Sequence, residues 1–211
     1  MTIRNWLFLF STTLSLGGVA ALLLGLLLEL LMGEMGLTLL QQLLAGLLFG
    51  AVAQMGLFAY MIFNWVAAGF FRKDFWFNTV QVLLLLLVLG EVILFGYMAD
   101  DGGRLLVPEA IVGIVTLVAG LAVALWKVKL TSQRSFVPTL FFMVVATLIE
   151  SGTALKQDSL MMMLYTVLTL LVCNAWQVLW IHRLVVPPKA AESKNRQKKR
   201  AGTPAPAGSK K

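Results

Sequence analysis

The sequence predicts an all-α integral membrane protein, a six-helix transmembrane bundle with both termini cytoplasmic. Three observations predict it. Of 211 residues, 59% are apolar and 13% charged, against about half and about a quarter in soluble domains. The apolar excess lies in uncharged runs long enough to cross a bilayer, which takes roughly 20 residues of helix. The basic residues between those runs fall on alternating sides, and the net charge of +7 gathers at one end of the chain.

Arg4 precedes a first span, Trp6–Leu31, and Gly33-Glu34-Met35-Gly36 turns the chain into a second, Leu43–Ala68. Arg72 and Lys73 follow, then a third span, Phe75–Met98. Phe75, Trp76 and Phe77 beside Lys73, like Trp6 earlier, have the character of interfacial aromatic anchors. Asp100-Asp101-Gly102-Gly103 links to a fourth span, Leu105–Trp126. Lys127, Lys129 and Arg134 separate it from a fifth, Phe136–Leu155, and Lys156-Gln157-Asp158-Ser159 leads to a sixth, Leu160–His182. Pro108 and Pro138 sit at span starts, where proline is tolerated. The transmembrane domain is thus 1–184, followed by a tail, 185–211, rich in Pro, Ala, Gly, Ser and Lys and expected to be disordered.

Basic residues set the orientation. The N-terminus, the second and fourth loops and the segment from Arg183 onward carry 15 of them, and the opposite side has only Arg104 and Lys156. Under the positive-inside rule both termini lie in the cytoplasm. The tail holds eight basic residues against Glu192, which accounts for the whole net charge. Beside a membrane domain this reads as a stop signal that touches anionic headgroups, with no nucleic acid as partner. Arg4, the apolar stretch and Gly18-Val19-Ala20 imitate a signal peptide, but the run stays apolar through Leu31.

Lipid gives helices no hydrophobic reason to associate, so small residues mark close packing. Gly17, Ala21 and Gly25 recur at steps of four on the first span, Gly46 and Gly50 form a GxxxG pair on the second with Ala53 beyond, and Gly113 and Gly120 lie two turns apart on the fourth. These faces are expected to hold one bundle together. A homodimer or a docking face for another membrane protein is the alternative. Met161–Met163 reads as adaptable packing material and Cys173 as a small apolar filler.

Polar residues within spans are few. Glu91 and Glu150 are expected in the outer part of the membrane, with Glu29 near the outer end of the first span. An ionised carboxylate there is expensive, so each should be protonated, hydrogen-bonded or facing a wet cavity. The cytoplasmic half holds the amides Asn64, Asn78, Gln81, Asn174 and Gln177, with Gln54 near mid-depth. Asn174 and Gln177 share a helix face and can bridge to a neighbouring helix. His182 reads as a headgroup contact.

One histidine and one cysteine exclude HExxH zinc sites, bis-histidine haem, Cys-rich zinc sites and intramolecular disulfides. No GxSG serine, P-loop or GxGD aspartate motif occurs. No catalytic residue, cofactor or metal site is expected.

Four strings carry a resemblance. They are Arg4-Asn5-Trp6-Leu7-Phe8-Leu9-Phe10 leading to Leu16-Gly17-Gly18; Gln54-Met55-Gly56-Leu57-Phe58-Ala59-Tyr60; Phe136-Val137-Pro138-Thr139-Leu140-Phe141-Phe142-Met143 running on to Thr147-Leu148-Ile149-Glu150; and Asn174-Ala175-Trp176-Gln177 with His182-Arg183-Leu184. In this order the chain resembles the KinB-signalling-pathway activation protein (KbaA) family of spore-forming Firmicutes over about residues 3 to 184. The resemblance implies a non-enzymatic, multi-pass plasma-membrane protein that acts positively on a KinB-type membrane histidine kinase feeding the phosphorelay to sporulation. It brings no catalytic residues. Two features depart from the family: Ser151-Gly152-Thr153 stands where an aromatic residue and a proline are expected, and the basic tail is long. The small-residue faces and the Asn174/Gln177 pair are the expected kinase contacts. The rival reading is a small cation- or proton-coupled transporter using Glu91 and Glu150.

Overall fold

The computed structural model describes residues 3–70, 74–98, 107–152, 154 and 159–184. Every regular element among them is helical: α1 (Ile3–Met32), α2 (Leu39–Phe70), α3 (Asp74–Met98), α4 (Val107–Leu130), a 3₁₀ turn (Gln133–Ser135), α5 (Phe136–Phe141), a π-helical segment (Phe142–Ala146), α6 (Thr147–Glu150) and α7 (Leu160–Leu184). Five of these helices, α1, α2, α3, α4 and α7, are long and apolar enough to cross a membrane. The expected loops at Arg72–Lys73, Asp100–Arg104 and Lys156–Asp158, the tail from 185, and the side chain of His182 lie outside the described residues.

α1 and α2 form a hairpin. Gly33 and Gly36 take φ of +102° and +73°, the left-handed region where a Cβ is costly. Thr38 then starts α2 with a reciprocal cap. Its backbone N–H donates to Gln41 Oε1 at 2.9 Å, and the Gln41 N–H donates to Thr38 Oγ1 at 3.3 Å, so two end groups of the helix are satisfied together. α1, α2 and α7 pack against one another, while α3 and α4 pack around the α5–α6 rod.

The fifth span differs from expectation. Phe136–Leu155 is not one helix: the rod contains the π turn and stops at Glu150. Ser151 ends it, with its N–H donating to the Thr147 carbonyl at 2.9 Å and its hydroxyl to the Leu148 carbonyl at 3.1 Å. Fifteen residues reach about 22 Å, short of a hydrocarbon core of about 30 Å. This rod is the core of the molecule: Phe142, Met143, Val144, Val145 and Leu148 are buried against residues of α2, α3, α4 and α7. Irregular backbone is tolerated at membrane depth only inside protein, and the π turn meets that condition. α4 approaches it closely at Gly120, where a Cβ would stand 2.9 Å from Val144 Cγ2.

The small-residue faces of α1 and α2 meet each other. A Cβ on Gly46 would run into the Gly17 carbonyl and the Ala21 methyl. One on Gly50 would stand 3.0 Å from the Thr13 carbonyl oxygen and Leu14 Cα. Gly17 is also a three-helix junction, its Cβ position lying 3.2 Å from both Gly50 Cα and Cys173 Sγ of α7. Gly113 makes no comparable approach, Val92 being 3.9 Å away.

Candidate functional site

Two polar nodes tie the bundle together. The first is at the α1–α2 hairpin end. Gly25 leaves room for the amide of Gln42, which is fully buried. Gln42 Nε2 donates to Glu29 Oε1 at 2.9 Å and to the Leu37 carbonyl at 3.3 Å, and the Gln42 backbone carbonyl accepts from the Tyr165 hydroxyl at 3.1 Å. One residue on α2 thereby ties α1 through its side chain and α7 through its backbone. Tyr165→Phe removes only the last bond and is expected to cost about 1 kcal/mol, read as a lowered unfolding midpoint in detergent with helical content unchanged.

The second node lies beside the π segment. The fully buried Asn174 of α7 donates through Nδ2 to Glu150 Oε2 at 2.9 Å and to Thr147 Oγ1 at 3.0 Å. The Glu150 carboxyl also rests on Gly56 of α2, where a Cβ would overlap Oε1. One turn further along α7, Gln177 Nε2 donates to Gln54 Oε1 at 3.0 Å. With its amide turned over it donates instead to the Ala53 carbonyl at 3.1 Å, so α7 is tied to α2 either way. Residue counting separates Glu150 and Asn174 in depth, yet they touch. Counting assumes straight α-helices that all start at one plane, and this rod is interrupted by a π segment.

Four of the predicted polar residues, Gln54, Glu150, Asn174 and Gln177, are therefore brought to neighbouring turns of α7 as two hydrogen-bonded pairs. Gln54 Nε2, Glu150 Oε1 and Asn174 Oδ1 find no hydrogen-bond partner among the described residues. Each such buried group without a partner carries a desolvation cost. Glu91 stands apart: it is exposed on α3, with no bond to the node. Gln81 is a residue that sequence reasoning left among the structural amides. It is fully buried on α3 and both its amide atoms are unpartnered among the described residues. No group of three or more metal-ligating side chains occurs among the described residues.

A cavity of about 220 Å³ opens between α2 and the rod, lined by apolar side chains and by Glu150. No signal in the sequence announces it, because it depends on how the side chains of α2 and the rod pack against one another.

No solved structure matches this chain. A curated relative, the KinB-signaling pathway activation protein of Bacillus subtilis (strain 168), is 30% identical over 140 residues, covering 64% of this chain and 69% of its own. Residues 17–184 match the family described as KinB-signalling pathway activation in sporulation, KbaA. The matched range begins at Gly17, so the opening string Arg4–Phe10 lies outside it. It includes both polar nodes, the π turn and all of α7. The family's own segment is thus the bundle just described, and the chain belongs to the KbaA family of KinB-signalling pathway activation in sporulation.

Proposed function

We propose that this protein is a non-enzymatic, multi-pass protein of the bacterial plasma membrane that activates a KinB-type sensor kinase by contact within the bilayer. Family membership across residues 17–184 carries the reading, since the matched segment is almost entirely apolar helix with little room for a soluble activity. The broken rod serves as the sixth crossing. It ends beside Asn174 of α7, and α7 itself starts at Leu160, fourteen residues or about 21 Å of helix from Asn174. Both termini are then cytoplasmic, in keeping with the 15-to-2 split of basic residues.

The kinase-contact surface moves away from the glycines. Gly17, Ala21, Gly46 and Gly50 are occupied inside the α1–α2 pair, and Asn174 and Gln177 are buried. α3 is the least covered long helix, with Leu83, Leu87 and Leu94 exposed at 60%, 62% and 58% and Glu91 on the same side. A carboxyl on a lipid-facing surface is expensive alone. A partner helix with a donor at that depth would relieve the cost, and it would shift the kinase only by binding its two states unequally.

A photo-reactive residue at Leu87 should cross-link to one sensor kinase in starving cells, with the same residue at Ile114 of α4, also exposed, as the comparison. Cross-linking at Ile114 and none at Leu87 would overturn the α3 surface. Capture of no kinase at either position, together with cation flux in proteoliposomes abolished by Glu150→Gln, would replace the accessory role with transport. The structure favours that rival less, because Glu91 and Glu150 do not share a site.

A further inference from the structure

We infer that Lys127 holds the phosphate group of an anionic lipid at the seam between the last turn of α4 and the start of the rod. This goes beyond the signalling role. It requires the bundle to lie in a bilayer, whichever way it faces, and requires nothing of a kinase. One stripe of α4 sets the seam. Val112, Thr116, Gly120, Ala124 and Lys127 follow one another at helical spacing and are all buried. At Gly120 the stripe meets Leu140, Met143 and Val144 of the rod. Lys127 lies two turns further on, where the chain is about to turn through the 3₁₀ segment into α5. The Thr131 N–H and hydroxyl both donate to the Lys127 carbonyl, at 2.9 and 2.6 Å, and hold this last turn in helical form.

Lys127 is the one buried charged residue among the described residues, with 9% of its surface exposed. Lys129, two positions on, is exposed. The difference matters for holding an anion. A surface lysine must lose the freedom of its long stem to make an ion pair, which leaves such pairs nearly neutral in energy. The stem of Lys127 is already fixed by packing. Its ammonium nevertheless lacks a counter-charge, since no charged group among the described residues acts on it. An ammonium enclosed in this way is costly until an anion meets it. The apolar span ends at Leu130, three residues or about 5 Å from Lys127, so the ammonium stands at the level of headgroup phosphates. Basic side chains set between helices at this level bind such headgroups. An anionic lipid brings the phosphate without a cation of its own, and Lys129 and Arg134 nearby in the chain add to the positive field it meets.

The test uses the full chain in nanodiscs of phosphatidylcholine, with and without phosphatidylglycerol, and reads the melting temperature. In about 1 M salt the Debye length falls to about 3 Å, so the exposed basic tail contributes little while a phosphate seated on Lys127 is still felt. Phosphatidylglycerol is expected to raise the midpoint by a few degrees under these conditions. Lys127→Met should abolish that rise, with Lys127→Gln in its place if the methionine variant does not fold, and Lys129→Met should keep it. No rise in the parent protein, or a rise that the Lys127 variants retain, would overturn the proposal. An equal rise from inorganic phosphate in phosphatidylcholine alone would do so too, because the ligand would then be a free anion. So would a rise that emerges only after Asp74→Asn, which would make Asp74, the first residue of α3, the counter-charge of Lys127.

Discussion

Gly46→Ala is expected to destabilise the protein by about 3 kcal/mol, and Gly46→Leu to prevent accumulation of folded protein. A single methyl at this position would collide with the Gly17 carbonyl and the Ala21 side chain. Both neighbours are held by their own helix and cannot swing aside, so the two backbones must separate. Separation would cost contacts along the whole α1–α2 seam, and at Gly17 it would also disturb Cys173 of α7. Gly90→Ala is the matched control, since a Cβ there meets nothing within 4 Å. It should be neutral or stabilising by about 0.5–1 kcal/mol, the ordinary gain of alanine over glycine in a helix. Reversible unfolding in mixed detergent micelles would measure both, and equal responses at the two glycines would show that α1 and α2 do not meet along this face. The same contrast bears on signalling experiments. Bulky substitutions at Gly46 or Gly50 should lower protein level first, so any loss of kinase activation in those variants reports folding.

Asn174→Leu is expected to cost about 2 kcal/mol and to couple to Glu150. The substitution removes two interhelical hydrogen bonds, to Thr147 and Glu150, and leaves the carboxyl with neither oxygen paired. Interhelical bonds in membranes are worth about 1–2 kcal/mol in model peptides and about 0.6 kcal/mol on average in a folded protein. An abandoned carboxyl adds its desolvation cost to that loss. Glu150→Leu in the Asn174→Leu background should therefore cost less than in the parent, with a coupling of about 1 kcal/mol. Strictly additive effects would show that the two side chains do not interact. Gln177→Leu, whose partner is Gln54 of α2, should be nearly additive with Glu150→Leu, because the Gln177–Gln54 amide pair and the Asn174–Glu150 contact are separate links between α7 and its neighbours.

Much of the architecture was legible from residue order. Uncharged apolar runs announce α1, α2, α3, α4 and α7, because a membrane helix must satisfy its own backbone and present apolar side chains over a set length. The Gly33/Gly36 turn and the Thr38–Gln41 cap are equally local. The pairing of glycines on α1 and α2 was legible as a face, though not as a pair, since a GxxxG spacing states that something comes close without naming it.

The fifth crossing was not legible. Phe136–Glu150 has ordinary helical composition that does not announce the π turn, and that turn is packed among α2, α3, α4 and α7. Counting residues along each span put Glu150 and Asn174 at different depths, and the offset of the rod brings them within 2.9 Å. The meeting of Glu150 with Gly56, the isolation of Glu91 on the outside of α3 and the cavity beside the rod share the same cause. They depend on rotation and displacement of one helix against another, quantities that a one-dimensional hydrophobic pattern does not contain when lipid-facing and protein-facing positions are both apolar. Length, composition and charge thus set which segments are helical and, through the positive-inside rule, the side on which each end is expected; tertiary packing alone chose the partners of each polar side chain.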